Sequence, residues 1–246
     1  MTEPLRIAVW SGPRNVSTAM MRSFGNRGDT AVVDEPFYAH WLEVSGADHP
    51  LRDEVLASQS TDWRVVAAQL SGPAPGGKPV FYQKHMAHHL TAGVDTAWTR
   101  ACTNVFLIRA PEDVLASYAA RRSEVTLADI GVVQQAELFD READRLGHAP
   151  PVIDGRDVQA RPRETLTALC AAVGVRFEEA MLAWAPGPRP EDGVWAPAWY
   201  ESVWRSTGFQ PPRPPALIGD LSPPLRRIAE AARPYYDRLA AERLRA

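Results

Sequence analysis

The stretch that decides the fold is Ile7–Phe24, which reads IAVWSGPRNVSTAMMRSF. Its apolar run at residues 7–10 is too short for a helix and ends at a glycine-proline pair, which predicts a buried parallel strand followed by a turn. Apolar residues then recur at helical spacing, so a helix is expected to begin at Ser17 or Thr18. Strand, polar loop and helix in this order predict an α/β fold.

The loop between this strand and helix is predicted to hold an anion. The first-turn N–H groups, the positive end of the helix dipole, the hydroxyls of Ser17 and Thr18 and the guanidinium of Arg14 would all favour negative charge there. An ATPase loop requires Gly-x4-Gly-Lys-[ST], whereas Ser17 stands in the place of the second glycine and Thr18 in that of the lysine. The loop is therefore not of the ATPase type, and an ordinary polar turn is the alternative.

Length and charge limit the classes of protein to consider. The 246 residues are ample for one α/β domain, expected to span 1–246. A net charge of −3 argues against a general nucleic-acid or membrane-surface binder. The two cysteines show no metal or disulfide spacing, and neither an apolar signal region nor a membrane-length run is found, so a cytoplasmic location without membrane insertion is expected.

Further elements follow the first strand and helix. Short apolar runs predict four more strands, and helical patterns predict a helix from Pro111, the amphipathic helix Thr165–Val173 and three longer helical regions, the last of them a helix pair broken near its proline. Together they predict a single three-layer α/β sandwich with a mostly parallel central sheet. The predicted strands are Thr30–Val33, Val80–Gln83, Asn104–Ile108 and Val152–Ile153, and the helical regions are His40–Leu70, Thr126–Leu146 and Leu221–Leu244 with Pro234.

Charged residues that could contact a ligand follow the second and the fourth of these strands. Asp34 and Glu35 come directly after the second strand, where a carboxylate would face the crevice in which parallel sheets bind ligands, or would only cap the next segment. Arg109 leaves the fourth strand, and Ser117 lies two turns into the following helix. The pair could grip a phosphate through charge-assisted hydrogen bonds, or be an ordinary strand-end arginine and a surface serine.

Three histidines after the third strand raise the question of zinc. His85, His88 and His89 follow Lys84, and a zinc site needs three or four ligands with a closed second shell. Neither cysteine spacing nor an HExxH pattern supplies the missing ligands. No metal site is therefore expected.

The loop Pro13–Thr18 resembles the 5′-phosphosulfate loop of sulfotransferases that use 3′-phosphoadenosine 5′-phosphosulfate (PAPS), which reads Pro-Lys/Arg-Ser-Gly-[ST]-[ST]. Arg14 stands in the basic position, and the two hydroxyl residues match. Asn15 replaces the usual serine and Val16 the usual glycine, which removes free access to positive φ at that position. The stretch Arg109-x-Pro111-x-Asp113-x-x-x-Ser117 is similar to the family's grip on the 3′-phosphate and is complete.

Three weaker likenesses accompany these motifs. Glu35, followed by Pro36 and Phe37, is similar to a context in which the family's glutamate deprotonates the acceptor hydroxyl. Lys84 matches the family's lysine on the transferring sulfuryl group, but the histidine follows one residue later instead of two, so His85 or His88 could be the base. The stretch 205–208 stands where the family's C-terminal loop covers the 3′-phosphate, and the match is partial.

The segment 184–215 differs in composition from the rest of the chain. It holds half of the tryptophans among many prolines. Such a segment is too aromatic for a disordered linker. It is predicted to be a lid or pocket wall whose rings face an adenine or an apolar acceptor, with packing of the domain's own edge as the alternative.

The resemblance implies a metal-independent sulfotransferase that moves a sulfuryl group from PAPS to a hydroxyl or amine of a small-molecule acceptor, with no nucleic-acid partner. Two alternatives stay open: a P-loop kinase of a small metabolite, and a non-catalytic member of the fold that binds a nucleotide. The expected catalytic residues are Arg14, Glu35, Lys84 and His85, and the expected cofactor-binding residues are Ser11, Gly12, Pro13, Arg14, Asn15, Val16, Ser17, Thr18, Arg109, Ser117, Arg205, Ser206, Thr207 and Gly208.

Overall fold

A five-stranded parallel sheet forms the centre of the computed structural model, which describes residues 3–119 and 124–245. The strand order is β2-β3-β1-β4-β5, and all four strand pairs are parallel. All five predicted strands are confirmed. Their bounds are β1 Leu5–Ser11, β2 Thr30–Asp34, β3 Val80–Met86, β4 Thr103–Ile108 and β5 Val152–Asp154.

Helices cover both faces of this sheet, as the three-layer prediction required. One face of the sheet carries Ile7 and Val9 of β1. It packs against α8, α9 and three residues of α1, which are Met20, Met21 and Phe24. The opposite face of the sheet packs against α4, α7 and α12. The helices are α1 Ser17–Gly25, α2 Tyr38–Ser45, α3 Arg52–Ser58, α4 Trp63–Ser71, α5 Pro111–Ala119, α6 Leu127–Ile130, α7 Val132–Leu146, α8 Gly155–Ala160, α9 Pro162–Val173, α10 Ala196–Trp199, α11 Glu201–Trp204 and α12 Pro223–Ala240.

Two predicted helical regions are divided in the structure. The region 40–70 is three helices, the first of which ends at Gly46 in the left-handed conformation, φ 64°. The region 126–146 is two helices, α6 and α7, separated by Gly131 at φ 67°. In both places a glycine takes a backbone conformation that other residues rarely adopt, so the helix ends there.

The predicted break near Pro234 is wrong, because α12 runs without interruption from 223 to 240 with the proline inside it. A proline inside a helix removes one backbone hydrogen bond and crowds the preceding turn. Here Ala229 and Ala232 before the proline are fully buried against α5, and Leu239 after it is buried against the sheet layer. Packing at both ends therefore keeps the helix continuous.

The register of the sheet brings the polar strand ends to one edge. Ser11 at the end of β1 pairs with Met86 of β3 on one side and Leu107 of β4 on the other. Asp34 at the end of β2 pairs with Lys84. In parallel sheets the carboxyl ends of the strands form the crevice in which ligands bind. Of the helices that the structure describes, none is both long and apolar enough to cross a bilayer.

Candidate active site

A cavity of about 480 Å³ opens at the carboxyl edge of the sheet. Its floor is the β1–α1 loop and the first turn of α1, and its walls come from the ends of β2 and β3, from α5 and from the segment 199–216. Of the expected site residues, those that line it are Pro13, Arg14, Asn15, Val16, Ser17, Thr18, Glu35, Lys84, Arg109, Ser117, Ser206 and Gly208. The structure therefore gathers most of the expected residues in one place.

The β1–α1 loop places its unusual backbone conformation at Arg14. Arg14 has φ 56°, whereas Val16 has φ −84°, which is ordinary for a residue with a side chain. Valine in place of the family's glycine therefore causes no backbone strain in this loop. Gly12 is needed for space, because a Cβ there would lie 2.5 Å from the carbonyl oxygen of Ile130. Neither Gly12 nor the buried Ser11 lines the cavity. Both residues therefore support the shape of the loop and do not face the cavity.

Asn15 ties this loop to the neighbouring strand. Its Nδ2 donates to the carbonyl oxygen of Leu107 at 3.1 Å, and its Oδ1 accepts from the backbone N–H of Val16 at 2.8 Å. Gly155 at the start of α8 lies so close that a Cβ there would meet Asn15 Oδ1 at 2.3 Å. The side chain of Asn15 therefore holds the loop in shape rather than being free for a ligand.

The two predicted anion sites, the loop with Arg14 and the pair Arg109 and Ser117, lie side by side. Arg14 Nε donates to Ser117 Oγ at 3.0 Å, and Arg109 Nη1 donates to the carbonyl oxygen of Arg14 at 2.5 Å. Arg109 Nε lies 4.0 Å from Asp113 Oδ2. Asp113 also accepts from the backbone N–H of Ala216 at 2.8 Å, which fixes the end of the segment that walls the cavity.

Burial is the main influence on the ionisation of Arg109. Burial lowers the pKa of its guanidinium; Asp113 and Asp154 oppose this, and Arg213 and Arg156 add to it. Arg213 also lines the cavity. A buried guanidinium stays protonated in proteins, so this environment favours a bound anion that restores its charge balance.

At the other end of the cavity, four buried side chains form one hydrogen-bonded cluster. Lys84 Nζ donates to Asp34 Oδ1 at 2.7 Å, to Tyr200 Oη at 2.8 Å and to Glu35 Oε1. Tyr200 Oη in turn donates to Asp34 Oδ2 at 2.7 Å and accepts from Trp195 Nε1 at 3.1 Å. An ammonium group has three N–H donors, and here three acceptors take them.

Burial governs the ionisation of this cluster. Burial raises the pKa of Glu35; Lys84 opposes the rise, and the neighbouring carboxylate of Asp34 adds to it. Burial also works against the charged form of Lys84, but the two carboxylates outweigh it, so the pKa of Lys84 is raised. The lysine therefore stays an ammonium, and Glu35 is a stronger base than an exposed glutamate.

The backbone of Glu35 is held in a rare conformation. Its φ is 40°, its N–H donates to the carbonyl oxygen of Lys84 at 2.9 Å, and its carbonyl oxygen accepts from Tyr38 N at 3.0 Å and Gln59 Nε2 at 3.1 Å. Non-glycine residues at positive φ cluster at functional sites, where surrounding contacts hold them. Here those contacts turn the side chain of Glu35 toward Lys84 and the cavity.

The structure does not bring His85 to the cavity. Successive residues of a strand point to opposite faces, so Lys84 and His85 face opposite layers. The ring of His85 stacks on Trp10 with centroids 4.2 Å apart, and Nε2 lies 3.3 Å from Gln83 Oε1. Burial, with a further contribution from Lys84, lowers its pKa to about 3. This histidine has the environment of a neutral core residue.

His88 and His89 do line the cavity, in a wall of rings that the sequence did not indicate. The ring of His89 stacks on Tyr38 at 4.8 Å and on Trp41 at 5.2 Å. Burial lowers the pKa of His89 well below its ordinary value, and His88, His49 and Lys84 add to this. In the ranges 3–119 and 124–245, groups of three or more His, Cys, Asp or Glu side chains arranged to hold a metal ion are absent.

The aromatic segment 184–215 walls the cavity but contributes different residues from those expected. Arg205 is exposed and forms an ion pair with Glu201 at 2.5 Å, and neither it nor Thr207 lines the cavity. The hydroxyl of Ser206 donates to the carbonyl oxygen of Val203 at 2.7 Å. The residue that reaches the charged cluster is Tyr200, which no sequence motif singled out.

A family comparison agrees with this geometry. The profile described as "Sulfotransferase domain" matches residues 5–243, nearly the whole chain. The chain belongs to the sulfotransferase family.

Two relatives from Arabidopsis thaliana carry names that point elsewhere. "Branched-chain-amino-acid aminotransferase-like protein 1" is 38% identical over 214 residues, and "Branched-chain-amino-acid aminotransferase-like protein 2" is 34% identical over 207 residues. These matches cover 87% and 84% of this sulfotransferase-family chain but 38% and 36% of the relatives. The chain thus spans little more than a third of their length, and their names describe much longer proteins.

Solved structures show the same fold. The "Sulfotransferase Domain from the Synechococcus PCC 7002 Olefin Synthase" matches with a TM-score of 0.54 at 16% identity, covering 94% of this chain and 95% of that one. The "Sulfotransferase Domain from the Curacin Biosynthetic Pathway" gives 0.51 at 16%, covering 94% and 98%. A sulfotransferase from Alicyclobacillus acidocaldarius gives 0.51 at 14%, covering 100% and 98%. At these identities the likeness establishes the sulfotransferase fold of the chain.

Proposed function

We propose that the protein is a sulfotransferase that moves a sulfuryl group from PAPS to a hydroxyl or amine of a small-molecule acceptor. The proposal rests on one observation: a single cavity has two chemically different ends. One end holds Arg14 in contact with both Arg109 and Ser117, and the other holds Glu35 beside Lys84. A donor bound at the first end would present its reacting group to a base at the second.

The 3′-phosphate of the donor would bind at Arg109 and Ser117. Burial disfavours the charge of Arg109, which a bound anion would offset, and the hydroxyl of Ser117, which lines the same cavity, can donate to a phosphate oxygen. Arg213 stands near enough to Arg109 to lower its pKa, and it lines the cavity. We infer that Arg213 supplies the cation that the sequence led us to expect from Arg205.

The 5′-phosphosulfate would lie over the first turn of α1. The first N–H groups of an α-helix have no acceptor within the helix, and the positive end of the dipole lies there. The buried hydroxyls of Ser17 and Thr18 line the cavity at the same place. Arg14 would stabilise negative charge that develops on the leaving phosphate oxygen as its bond to sulfur breaks.

Glu35 would be the general base. In the proposed step its carboxylate takes the proton of the acceptor hydroxyl, the acceptor oxygen forms a bond to sulfur, and the bond from sulfur to the 5′-phosphate oxygen breaks, releasing 3′,5′-ADP. A base with a raised pKa and access to the cavity suits this task. No water or further reactant is consumed.

We propose for Lys84 a role other than contact with the sulfuryl group. Its three donors already meet Asp34, Glu35 and Tyr200, so a contact to the sulfuryl oxygens would require one of these bonds to break. We therefore assign Lys84 to holding the carboxylate of Glu35 in place and ionised. Asp34 and Tyr200 hold the ammonium on its other sides.

Thermal unfolding with different nucleotides tests the donor site. A ligand that binds only the folded protein raises the Tm by mass action. We expect 3′,5′-ADP to raise the Tm more than 5′-AMP, adenosine 5′-diphosphate or ATP at equal concentration, because only 3′,5′-ADP can occupy both anion positions. An equal or larger rise with ATP would contradict the proposal and favour a kinase.

Activity is tested separately with ³⁵S-labelled PAPS and a panel of small alcohols and amines. Transfer of label to an acceptor, without added divalent metal and in the presence of a chelator, is the expected result. Binding of 3′,5′-ADP without transfer to any member of a broad panel would instead support a nucleotide-binding protein without catalysis.

A further inference from the structure

Residues 187–204, which we call the strap, connect two parts of the molecule that lie far apart in the sequence. At Asp192 the strap is bound to α1, the helix that follows the β1–α1 loop. At Gly193 and Tyr200 it is bound to Asp34 of the hydrogen-bonded cluster. The strap therefore joins the helix of the predicted anion loop to the cluster that holds the proposed base.

One carboxylate oxygen of Asp192 accepts three hydrogen bonds. Its Oδ2 accepts from Arg22 Nη2 at 2.6 Å, from the backbone N–H of Arg189 at 2.9 Å and from Trp204 Nε1 at 2.9 Å. The side chains of Arg22 and Asp192 are 2% and 4% exposed, so solvent screens this ion pair little. The backbone N–H of Gly187 donates to the carbonyl oxygen of Trp204 at 2.7 Å. Both ends of the strap are therefore held at one ion pair on α1.

The hydroxyl of Tyr200 contacts both the cation and a carboxylate of the cluster. It accepts from Lys84 Nζ at 2.8 Å and from Trp195 Nε1 at 3.1 Å, and it donates to Asp34 Oδ2 at 2.7 Å. Burial raises the pKa of Tyr200 well above its ordinary value, and Asp34 and Glu35 add to this, so the hydroxyl keeps its proton. The position of Tyr200 therefore helps to determine where the ammonium group and the carboxylate are held.

The part of the strap between Asp192 and Tyr200 is closely packed. The ring of Trp195 is 2% exposed and lies so near Gly193 that a Cβ there would meet the ring at 2.1 Å. The backbone N–H of Gly193 donates to Asp34 Oδ2 at 3.3 Å. Closely packed groups transmit a displacement to their neighbours, so a shift at Asp192 would move Tyr200 as well.

Helix α1 bears on both ends of the cavity. Ser17 and Thr18 begin the helix at the cavity, and Arg22 lies about one turn further along it. Backbone hydrogen bonds between successive turns keep these positions at a fixed separation. A donor over the first turn and a base supported by the strap would therefore both be placed relative to the same helix.

We propose that the ion pair of Arg22 and Asp192 positions the base relative to the donor by holding Tyr200 in the cluster. The inference rests on the proposed function, because it takes the donor to lie over α1 and the base to be Glu35. Neither member of the ion pair lines the cavity, so both are positioning residues that act through the strap. A displacement of about 1 Å can lower the rate of an enzymatic reaction about 10²-fold, so positioning of this kind affects kcat.

Two isosteric substitutions give the test and its matched control. Asp192→Asn keeps an oxygen that can accept hydrogen bonds but removes the charge that binds Arg22. Glu142→Gln makes the same chemical change in another buried ion pair. Glu142 is 3% exposed, lies 2.6 Å from Arg145, belongs to α7 on the opposite face of the sheet, and does not line the cavity.

Hydrogen exchange measured by mass spectrometry shows whether the ion pair holds the strap. In Asp192→Asn, peptides from 193–204 should exchange about tenfold faster or more, because weakened contacts allow this stretch to open locally. Peptides from β1 should keep their rate in both variants, and those from 193–204 should keep theirs in Glu142→Gln. Unchanged exchange of 193–204 in Asp192→Asn overturns the inference.

Turnover shows whether the strap positions the base. It is measured with ³⁵S-labelled PAPS and the panel alcohol or amine that the unaltered chain uses best. In Asp192→Asn, kcat should fall about tenfold while the Kd for 3′,5′-ADP stays within about twofold, because the contacts at Arg109 are intact. A similar fall in Glu142→Gln, or a loss of affinity for 3′,5′-ADP as large as the loss in kcat, overturns the inference.

Substitution of the arginine adds a rescue experiment. Arg22→Met removes the cation and should lower kcat as much as Asp192→Asn does. Arg22→Lys keeps a cation that can donate to Asp192, so its kcat should lie nearer to that of the unaltered chain. Equal falls in the two arginine variants would show that the charge at this position is not what holds the strap, and would overturn the inference.

A double variant shows whether Asp192 acts through Tyr200. Tyr200→Phe removes the hydroxyl and should lower kcat by itself. In that background Asp192→Asn should lower kcat by a further factor of about two at most, because residues that act through one another are not additive. Falls in kcat that multiply in the double variant would show that the two residues act independently and would overturn the inference.

The outcomes separate this inference from the proposed function. If the unaltered chain transfers label to no acceptor, the proposed function fails, the positioning role fails with it, and hydrogen exchange still decides whether the ion pair holds the strap. If transfer occurs and 193–204 exchanges faster in Asp192→Asn but kcat is unchanged, the proposed function stands and only the positioning role fails.

Discussion

The two ends of the cavity differ in how their charged side chains are paired. At the proposed phosphate end, which holds Arg14, Arg109 and Ser117, Arg109 donates to a backbone carbonyl oxygen, has Asp113 at 4.0 Å and is influenced by Arg213. At the base end, Lys84 is fully buried and is held by two carboxylates and a tyrosine. At the proposed phosphate end burial disfavours the charge of Arg109, which a bound anion would offset, whereas the base end, which holds Asp34, Glu35 and Lys84, has its charges matched internally.

This difference suits one end of the cavity to binding the donor and the other to catalysing the transfer. A site that must capture an anion gains from cations whose counter-charge comes with the ligand. A site that must hold a base in one position gains from a closed network, since each member fixes its neighbours. We therefore expect substitutions at the phosphate end to change nucleotide affinity and those at the base end to change turnover or stability.

The largest expected effect is on turnover. Glu35→Gln keeps the size of the side chain but removes the base, so kcat should fall by about 10²–10⁴-fold. The Tm rise with 3′,5′-ADP should remain, because the carboxylate lies at the other end of the cavity. Both are measured on the same preparation with ³⁵S-labelled PAPS and by thermal unfolding. A kcat within threefold of the unaltered protein would remove Glu35 from the mechanism.

Next in size is the stability of the base end. Lys84→Met leaves Asp34 and Glu35 buried together without a cation, and breaking a buried ion pair in this way costs about 3–5 kcal/mol of unfolding free energy. Urea denaturation measures the loss. Lys78→Met is the control, because this exposed lysine donates only to the backbone oxygen of Gly28 in the contacts described, and a change of about 0.5 kcal/mol or less is expected. Similar losses in both variants would show that the cluster is not a special source of stability.

A smaller effect is expected at the phosphate end. Arg109→Ala removes a charged donor worth about 1.5–3 kcal/mol, which corresponds to roughly 10–150-fold in the Kd for 3′,5′-ADP. Affinity for 5′-AMP should change far less, since it lacks the 3′-phosphate. Arg205→Ala serves as the matched control because its exposed guanidinium pairs with Glu201 outside the cavity. An equal loss of affinity for 3′,5′-ADP in the two variants would contradict this prediction and would support the sequence-based prediction that Arg205 binds the 3′-phosphate.

The smallest expected effect is a displacement of the pH profile. The base must be ionised. We therefore expect kcat/KM to reach its full value at pH values above the pKa of Glu35 and to fall as the pH drops below that pKa. Because burial raises that pKa, the acidic limb should lie above the range of an ordinary glutamate. Where Lys84→Met retains activity, the limb should move further up, since the lysine opposes the rise. A limb at or below the ordinary value would show that Glu35 is not the titrating base.

Much of the phosphate end could be predicted from the sequence because its parts are local. The β1–α1 loop follows its strand directly, and the spacing from Arg109 to Ser117 fits one strand end and two turns of one helix. Parallel strands then bring the two parts together at one edge. Arg14 and Ser117 are in hydrogen-bond contact, so the two predicted anion sites are neighbours.

The base end was predicted less well, for two reasons. Alternation along β3 places Lys84 and His85 on opposite faces, and this signal was present in the sequence but does not say which face carries the cavity. Tyr200 lies 165 residues after Glu35, within a segment of short helices, and no local pattern indicates that its hydroxyl meets Asp34. Arg213 was missed for the same reason.

The sequence by itself determined the five strands, the strand-loop-helix unit around Arg14 and the placement of Arg109 and Ser117 on a strand end and the helix after it, because apolar runs, turn residues and helix starts depend on neighbours a few positions away. Only the tertiary structure decided which charged residues face one another in the cavity and which histidines remain in the core. Those choices depend on how distant segments pack, and the electrostatic cost of burying a charge is set only when its partners from those segments are in place.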